Sequence, residues 1–210
     1  MSDNLHLQIG RKQDAINFIK QYHYLHRIPP PSMTVVTTLH KTGGLFGNLG
    51  VCVAACVFGT PTARWSEKLL ELHRLVGHPD IKTSLTQLMT KTIAHIEQHK
   101  IADLLVSYVA CSANYYEDVY RETSWNFGRE EDSGSVGLIV DGEPFHGRTC
   151  NHTWGTRSVD IARERFPHLK IEPLPDEGKF FYWKALTESG QKKARRLELP
   201  KSPHPTFLKR

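Results

Sequence analysis

Four side chains able to move protons or hold a metal, His23, Tyr24, His26 and Arg27, fall in the stretch QYHYLHRIPPP, directly ahead of three prolines. An imidazole serves as a general base or a metal ligand, and a phenol donates a proton or ligates iron. Each proline lacks an amide donor and turns its predecessor away from the helical region, so the cluster is held at a helix end or in a turn. Packing at a helix end is the competing reading. A second group lies in ELHRLVGHPDIKTSLTQL. A strand that stops at Gly77 and is followed by a helix capped at Thr83 and Ser84 aims free N–H groups and the positive helix end at one point, a cradle for phosphate. Arg74 at the strand end adds a charge-assisted contact; an ordinary β-α turn is the alternative.

Two further groups carry chemistry. Tyr120 lies in ANYYEDVYRE, and Ser107 on the preceding strand; their hydroxyls either donate protons or pack. The block EPFHGRTCNHTWGTRS interleaves His146, Arg148, His152 and Arg157 with Trp154. Basic groups among aromatics suit a phosphate backbone and an unstacked base, or form an incidentally charged loop.

The elements that position these groups follow from periodicity. Residues 4–9 alternate weakly, like an edge strand, and 12–22 place Ala15, Ile16, Ile19 and Tyr22 on one helical face. MTVVTTLH and LGVCVAACVF are strands joined by the glycine-rich turn KTGGLFGN, and LLELHRLV is a third. From Ser84, the positions of Leu85, Leu88, Met89, Ile93 and Ile96 predict a helix. ADLLVSYVA is a buried strand, ANYYEDVYRE a short helix, and SWNFGRE another strand. A loop-rich stretch from about 130 to 178 holds a short helix near 158–166 and precedes a final strand, KFFYWKAL. This order predicts an α/β (α+β) domain over 1–186, with a central mixed sheet flanked by helices. A tail follows over 187–210.

The chain has 210 residues, 39% hydrophobic and 23% charged, which suits one ordinary core. No apolar run approaches the roughly 18 residues of a membrane span, and residues 1–20 lack a signal-peptide block, so a cytoplasmic protein is expected. Four scattered cysteines exclude a disulfide framework; Cys52 and Cys56 read as reduced thiols on one strand face. The formal charge is +5. From 184 onward eight Lys/Arg face only Glu188 and Glu198, which reads as a detachable arm for a polyanion or a solvated end.

Taken in order, these pieces resemble the Mom family, phage DNA-modifying proteins with a GNAT-like fold. The resemblance rests on HYLHRIP, ELHRLV, TSLTQLM, LLVSYVA, VYRETSWNFGR, FHGRTCNHTWG and KFFYW, the last a K-x-x-Y strand with Lys179 and Tyr182. Arg74-x-x-Gly77-x-Pro79 also partly matches the loop that grips coenzyme A in GNAT acyltransferases, with Pro79 replacing the final small residue. One departure is Ala110-Cys111-Ser112-Ala113-Asn114, where the family usually carries an aspartate after S-Y and a G-H-x-G run, so the resemblance is that of a divergent member.

The resemblance implies hypermodification of the exocyclic amine of adenine in phage DNA (carbamoylmethylation), which blocks restriction enzymes. Simple acyl transfer does not give that product. The implied donor is acetyl-CoA or a relative, with Arg74, Gly77, Thr83 and Ser84 binding it. The implied iron would be held by His23 and Tyr24, and His23, Tyr24, Ser107 and Tyr120 would be catalytic. Arg27, His146, Arg148, Lys179 and Tyr182 would meet double-stranded DNA, with no membrane partner and a homodimer as the expected assembly. Two other functions fit the residues: a GNAT acting on another amine (aminoacyl-tRNA, protein or small molecule), and a GNAT-shaped nucleic-acid-binding protein without catalysis.

Overall fold

The computed structural model describes residues 5–23, 32–41, 50–61, 68–80, 84–110, 117–131, 137–145, 147–175 and 178–205. The elements are β1 (Leu5–Ile9), α1 (Lys12–Tyr22), β2 (Met33–Lys41), β3 (Val51–Gly59), β4 (Leu69–Gly77), α2 (Ser84–Gln98), β5 (Leu104–Ala110) and α3 (Glu117–Glu122). Then come β6 (Asn126–Glu131), β7 (Gly137–Val140), β8 (Glu143–Phe145), α4 (Gly147–Trp154), α5 (Val159–Arg165), β9 (Ile171–Leu174), β10 (Lys179–Ala185) and α6 (Glu188–Arg196). Seven strands form one sheet in the order β1-β2-β3-β4-β5-β10-β6. The first three pairings are antiparallel and β4–β5 is parallel. The expected mixed sheet is present. The turn KTGGLFGN lies outside the described residues.

Helices cover both sheet faces, and strand alternation decides what each meets. Helix α1 buries Ala15, Phe18 and Ile19 against Val36, Ala55, Val57 and Val76. Phe18 rather than Ile16 completes its stripe. On the other face Thr92 of α2 meets Thr37 of β2 through hydroxyls 2.6 Å apart. The cysteines do not share a face as expected. Opposite β2, Cys52 pairs with His40 and Ala54 with Leu39, so Val53 is an extra residue and reverses the alternation. Cys52 consequently packs on the α1 side, while Cys56 bonds Thr37 and Thr92 on the α2 side.

One expectation from the chain's second half is corrected. The chain clusters into two compact units, the second being Val109–Ala113 with Glu130–Phe180 and the first the remainder. The second unit is not loop-rich. It has an antiparallel sheet β8-β7-β9 and its own core of Leu138, Val140, Cys150, Ala162 and Ile171. Asp141 and Gly142, both at positive φ (51° and 86°), close the β7–β8 hairpin in two residues. An Asp-Gly pair favours this turn because its primed geometry matches strand twist.

The segment after residue 186 is not a detachable arm through its described part. Thr187 caps α6 by accepting from the Gly190 amide at 3.0 Å. Ala194 is buried against Leu69, Leu104, Val106, Phe181 and Trp183, with Leu197 and Leu199 beside it. Trp183 Nε1 donates to the Pro200 carbonyl at 2.7 Å, and Ser202 bridges Phe127. Small and apolar residues hidden among the charges fasten the segment to the first unit. The run of Lys and Arg masked them in the sequence.

Candidate active site

The sheet has a break in its centre. β4 and β5 pair from Leu69 with Leu104 to Leu72 with Ser107. Beyond that register β4 runs on to Gly77, paired with β3, and β5 to Ala110. Where two parallel strands part, backbone donors and acceptors can be satisfied by a ligand. His73 is a bulge: Phe58 of β3 faces Leu72 and Val57 faces Arg74, leaving it unmatched.

Ser107, the last paired residue of β5, carries the site's first hydroxyl. Its Oγ lies 2.8 Å from the Tyr120 phenol, with the two residues only 1% and 3% exposed. Local sequence fixes that phenol. Just past α3, Ser124 sits at φ 57°, and the Trp125 amide donates back to the Tyr120 carbonyl at 2.9 Å while the Ser124 amide donates to the Arg121 carbonyl. This is the Schellman arrangement, and its usual apolar contact is present as Trp125 edge-on to Tyr120 at 5.4 Å. Thr86 of α2 donates to Glu122 at 2.7 Å, tying α3 to the α2 face.

A stacked aromatic layer backs the pair. Tyr182 of β10 lies 4.3 Å from Tyr120 at an interplanar angle of 16°, and Phe127 and His204 pack on Tyr182. Tyr182, expected from the resemblance to meet DNA, is 1% exposed and supports Tyr120 from behind. His204 Nε2 lies 3.0 Å from the Trp125 carbonyl, so that nitrogen carries the proton. His204 Nδ1 and Trp125 Nε1 are buried without hydrogen-bond partners among the described residues. His204, Trp125 and His73 were not singled out from the sequence. His204 lies 79 residues from its partner Trp125, so no local signal could pair them.

The remaining expected residues are spread out. His23 is 5% exposed and ends α1, its amide donating to Ile19 at 3.0 Å. Tyr22 packs on His78 at 5.1 Å, bringing the end of α1 to the residue that follows β4. His23 belongs to the α1 side of the sheet, whereas Ser107 and Tyr120 belong to the α2–α3 side. Arg74 Nη1 donates to the His73 carbonyl at 2.6 Å. Gly77 closes β4 and Ser84 opens α2. Tyr24, Arg27, Thr83 and His146 lie outside the described residues. Arg148 is in α4 and Lys179 opens β10, both in the second unit. Among the described residues no three His, Cys, Asp or Glu side chains gather as a metal centre would require, so the described donor set does not fit iron.

Comparison with known proteins gives two results. A sequence model of the family described as "Mom protein family" matches residues 4–206. The fold is similar to a putative acetyltransferase from Salmonella typhimurium, solved with acetyl-CoA, at TM-score 0.54 and 10% identity, covering 88% of this chain and 95% of that one. It is also similar to the ribosomal-protein-S18-alanine N-acetyltransferase from Escherichia coli, at TM-score 0.51 and 10% identity, covering 89% and 97%. The IAA acetyltransferase from Bacillus cereus aligns at TM-score 0.51 and 7% identity, covering 87% and 99%. No curated protein matches the sequence significantly.

Proposed function

The chain belongs to the Mom protein family, and from this membership we propose that it is a transferase that modifies the exocyclic amine of adenine in double-stranded DNA. The observation that carries this reading is the buried Ser107–Tyr120 hydroxyl pair, 2.8 Å apart, set where β4 and β5 part. The adenine amine is a poor nucleophile because its lone pair is delocalised into the ring, so the donor must be activated and the base taken out of its stack. A coenzyme A thioester supplies an electrophilic carbon and a sulfur leaving group. Gly77 and the N-terminus of α2 would hold its phosphates. Tyr120 would give its phenolic proton to the departing sulfur, and Ser107 would orient that phenol through their shared hydrogen bond.

Mass spectrometry of nucleosides from the DNA of cells expressing the chain tests the reading. A heavier adenine is expected, and its increment distinguishes a carbamoylmethyl group, as the family resemblance implies, from an acyl group. DNA with no heavier adenine beside a well-expressed, folded protein overturns it.

A further inference from the structure

We propose that His204 is a positioning residue for Tyr120, fixing the phenol for the proton donation assigned to it above, an inference that rests on that transferase reading. Tyr120 belongs to α3, a helix of six residues, and a helix so short does not hold itself in water. The place of its phenol is therefore set by whatever grips the end of the helix.

His204 reaches Tyr120 by two routes. Along the backbone, the Trp125 amide donates to the Tyr120 carbonyl at 2.9 Å, and the Trp125 carbonyl accepts from His204 Nε2 at 3.0 Å. One residue thus ties the imidazole to the backbone of Tyr120. Through the rings, Tyr182 stacks on Tyr120 at 4.3 Å and meets the His204 ring at 5.9 Å. The neighbouring carbonyl, that of Ser124, accepts from Lys184 Nζ at 3.3 Å. Two consecutive carbonyls of the turn behind α3 are held from outside it.

The sequence delivers the imidazole with little freedom to lose. His204 stands between Pro203 and Pro205; the first has a fixed φ, and the second keeps His204 extended. Upstream, Trp183 Nε1 donates to the Pro200 carbonyl at 2.7 Å, and the Ser202 amide donates to the Phe127 carbonyl at 2.9 Å. That bridge lays the segment along β6, the outer strand of the sheet. The imidazole also carries a cost that packing alone would avoid. Its Nδ1 is buried without a hydrogen-bond partner among the described residues, which is rare for a buried polar atom. A phenyl ring would pack on Phe127 and Tyr182 and strand no nitrogen. What the imidazole adds is the Nε2 bond to Trp125.

The test uses the full chain with duplex DNA and saturating acetyl-CoA, following coenzyme A release, nucleoside masses and the calorimetric affinity for acetyl-CoA. His204→Phe keeps a ring but no donor. It should slow release by about 100-fold, the scale of a misplacement of roughly 1 Å, at unchanged donor affinity. His204→Gln, whose amide can donate to the same carbonyl, should recover most of that loss. With Tyr120→Phe already present, His204→Phe should slow release no further, because the group it positions is gone. His204→Leu gives the same comparison if the Phe variant fails to fold. A rate for His204→Phe within about threefold of wild type, an equal further loss in the Tyr120→Phe background, no recovery by His204→Gln, or a parallel loss of donor affinity overturns the assignment. Unmodified adenine together with His204-dependent coenzyme A release keeps the assignment and removes the DNA reading. A wild-type protein that releases no coenzyme A removes both.

Discussion

Tyr120 and Ser107 show how one hydrogen bond ties stability to chemistry. Tyr120→Phe keeps the ring between Trp125 and Tyr182 but takes the partner from a buried Ser107 hydroxyl. It should cost about 1–3 kcal/mol in urea unfolding and remove most DNA modification. Ser107→Ala with Tyr120→Phe should cost less than the two single changes together, because no hydroxyl is then stranded. Additive costs would show that the hydroxyls do not depend on each other. Cys56 gives a prediction in pH. Its burial pushes the thiol from 9.0 up to about 12, outweighing the Thr92 and Thr37 hydrogen bonds that favour the thiolate. The folded state then holds a proton that the unfolded state releases. The stability linked to Cys56 is full below pH 9 and is lost as pH rises through about 12. Unfolding free energies measured between about pH 8 and 11, spanning the unfolded-state titration, should fall for wild type more steeply than for Cys56→Ala.

At the level of elements, α6 and the segment behind it are the informative case. A Cβ on Gly190 would stand 2.0 Å from the Asp103 carbonyl oxygen, so α6 seats on the start of β5 only with glycine there. Gly190→Ala should destabilise the fold by about 1–3 kcal/mol through this overlap. Truncation after Leu186 removes Ala194, Leu197 and Leu199 from the cluster around Trp183 and Phe181. It should lower the melting temperature markedly, since each large apolar side chain deprived of cover forfeits about 1.5–3 kcal/mol. An unchanged melting temperature would show that α6 merely rests on the sheet. The sequence suggested an arm because charge dominates its composition. The apolar anchors Ala194, Leu197 and Leu199, with the Thr187 cap, outweigh that composition.

Across the molecule as a whole, anchoring α6 turns diffuse charge into a fixed surface. Lys192, Arg195 and Arg196 are exposed, while Ala194 between them faces the core. If this face meets DNA, reversing the three charges should leave the melting temperature unchanged. It should flatten the slope of log affinity against log salt by roughly 2–3, about 0.9 for each phosphate no longer neutralised. An identical slope would place the DNA contact elsewhere on the protein.

The strongly periodic elements were legible in the order of residues alone: strands β2 to β5, α1, α2 and the succession of motifs that marks the family. So was the Asp-Gly turn at 141–142, written in two residues though read as loop. Ser107 and Tyr120 could be picked out too, because a hydroxyl on a strand and a tyrosine before a helix end are local features. The folded chain was needed to show that those hydroxyls meet, that Tyr182 stacks behind them, and that His204 arrives from the far end of the chain. It was needed for the two bulges as well. An extra residue at Val53 sends Cys52 and Cys56 to opposite faces, and one at His73 lays an imidazole over Gly59. Periodicity and capping act within a few residues and are written in consecutive letters. Bulges, strand partings and side-chain pairs are set by the register between distant segments, where a shift of one residue reverses the face of everything that follows.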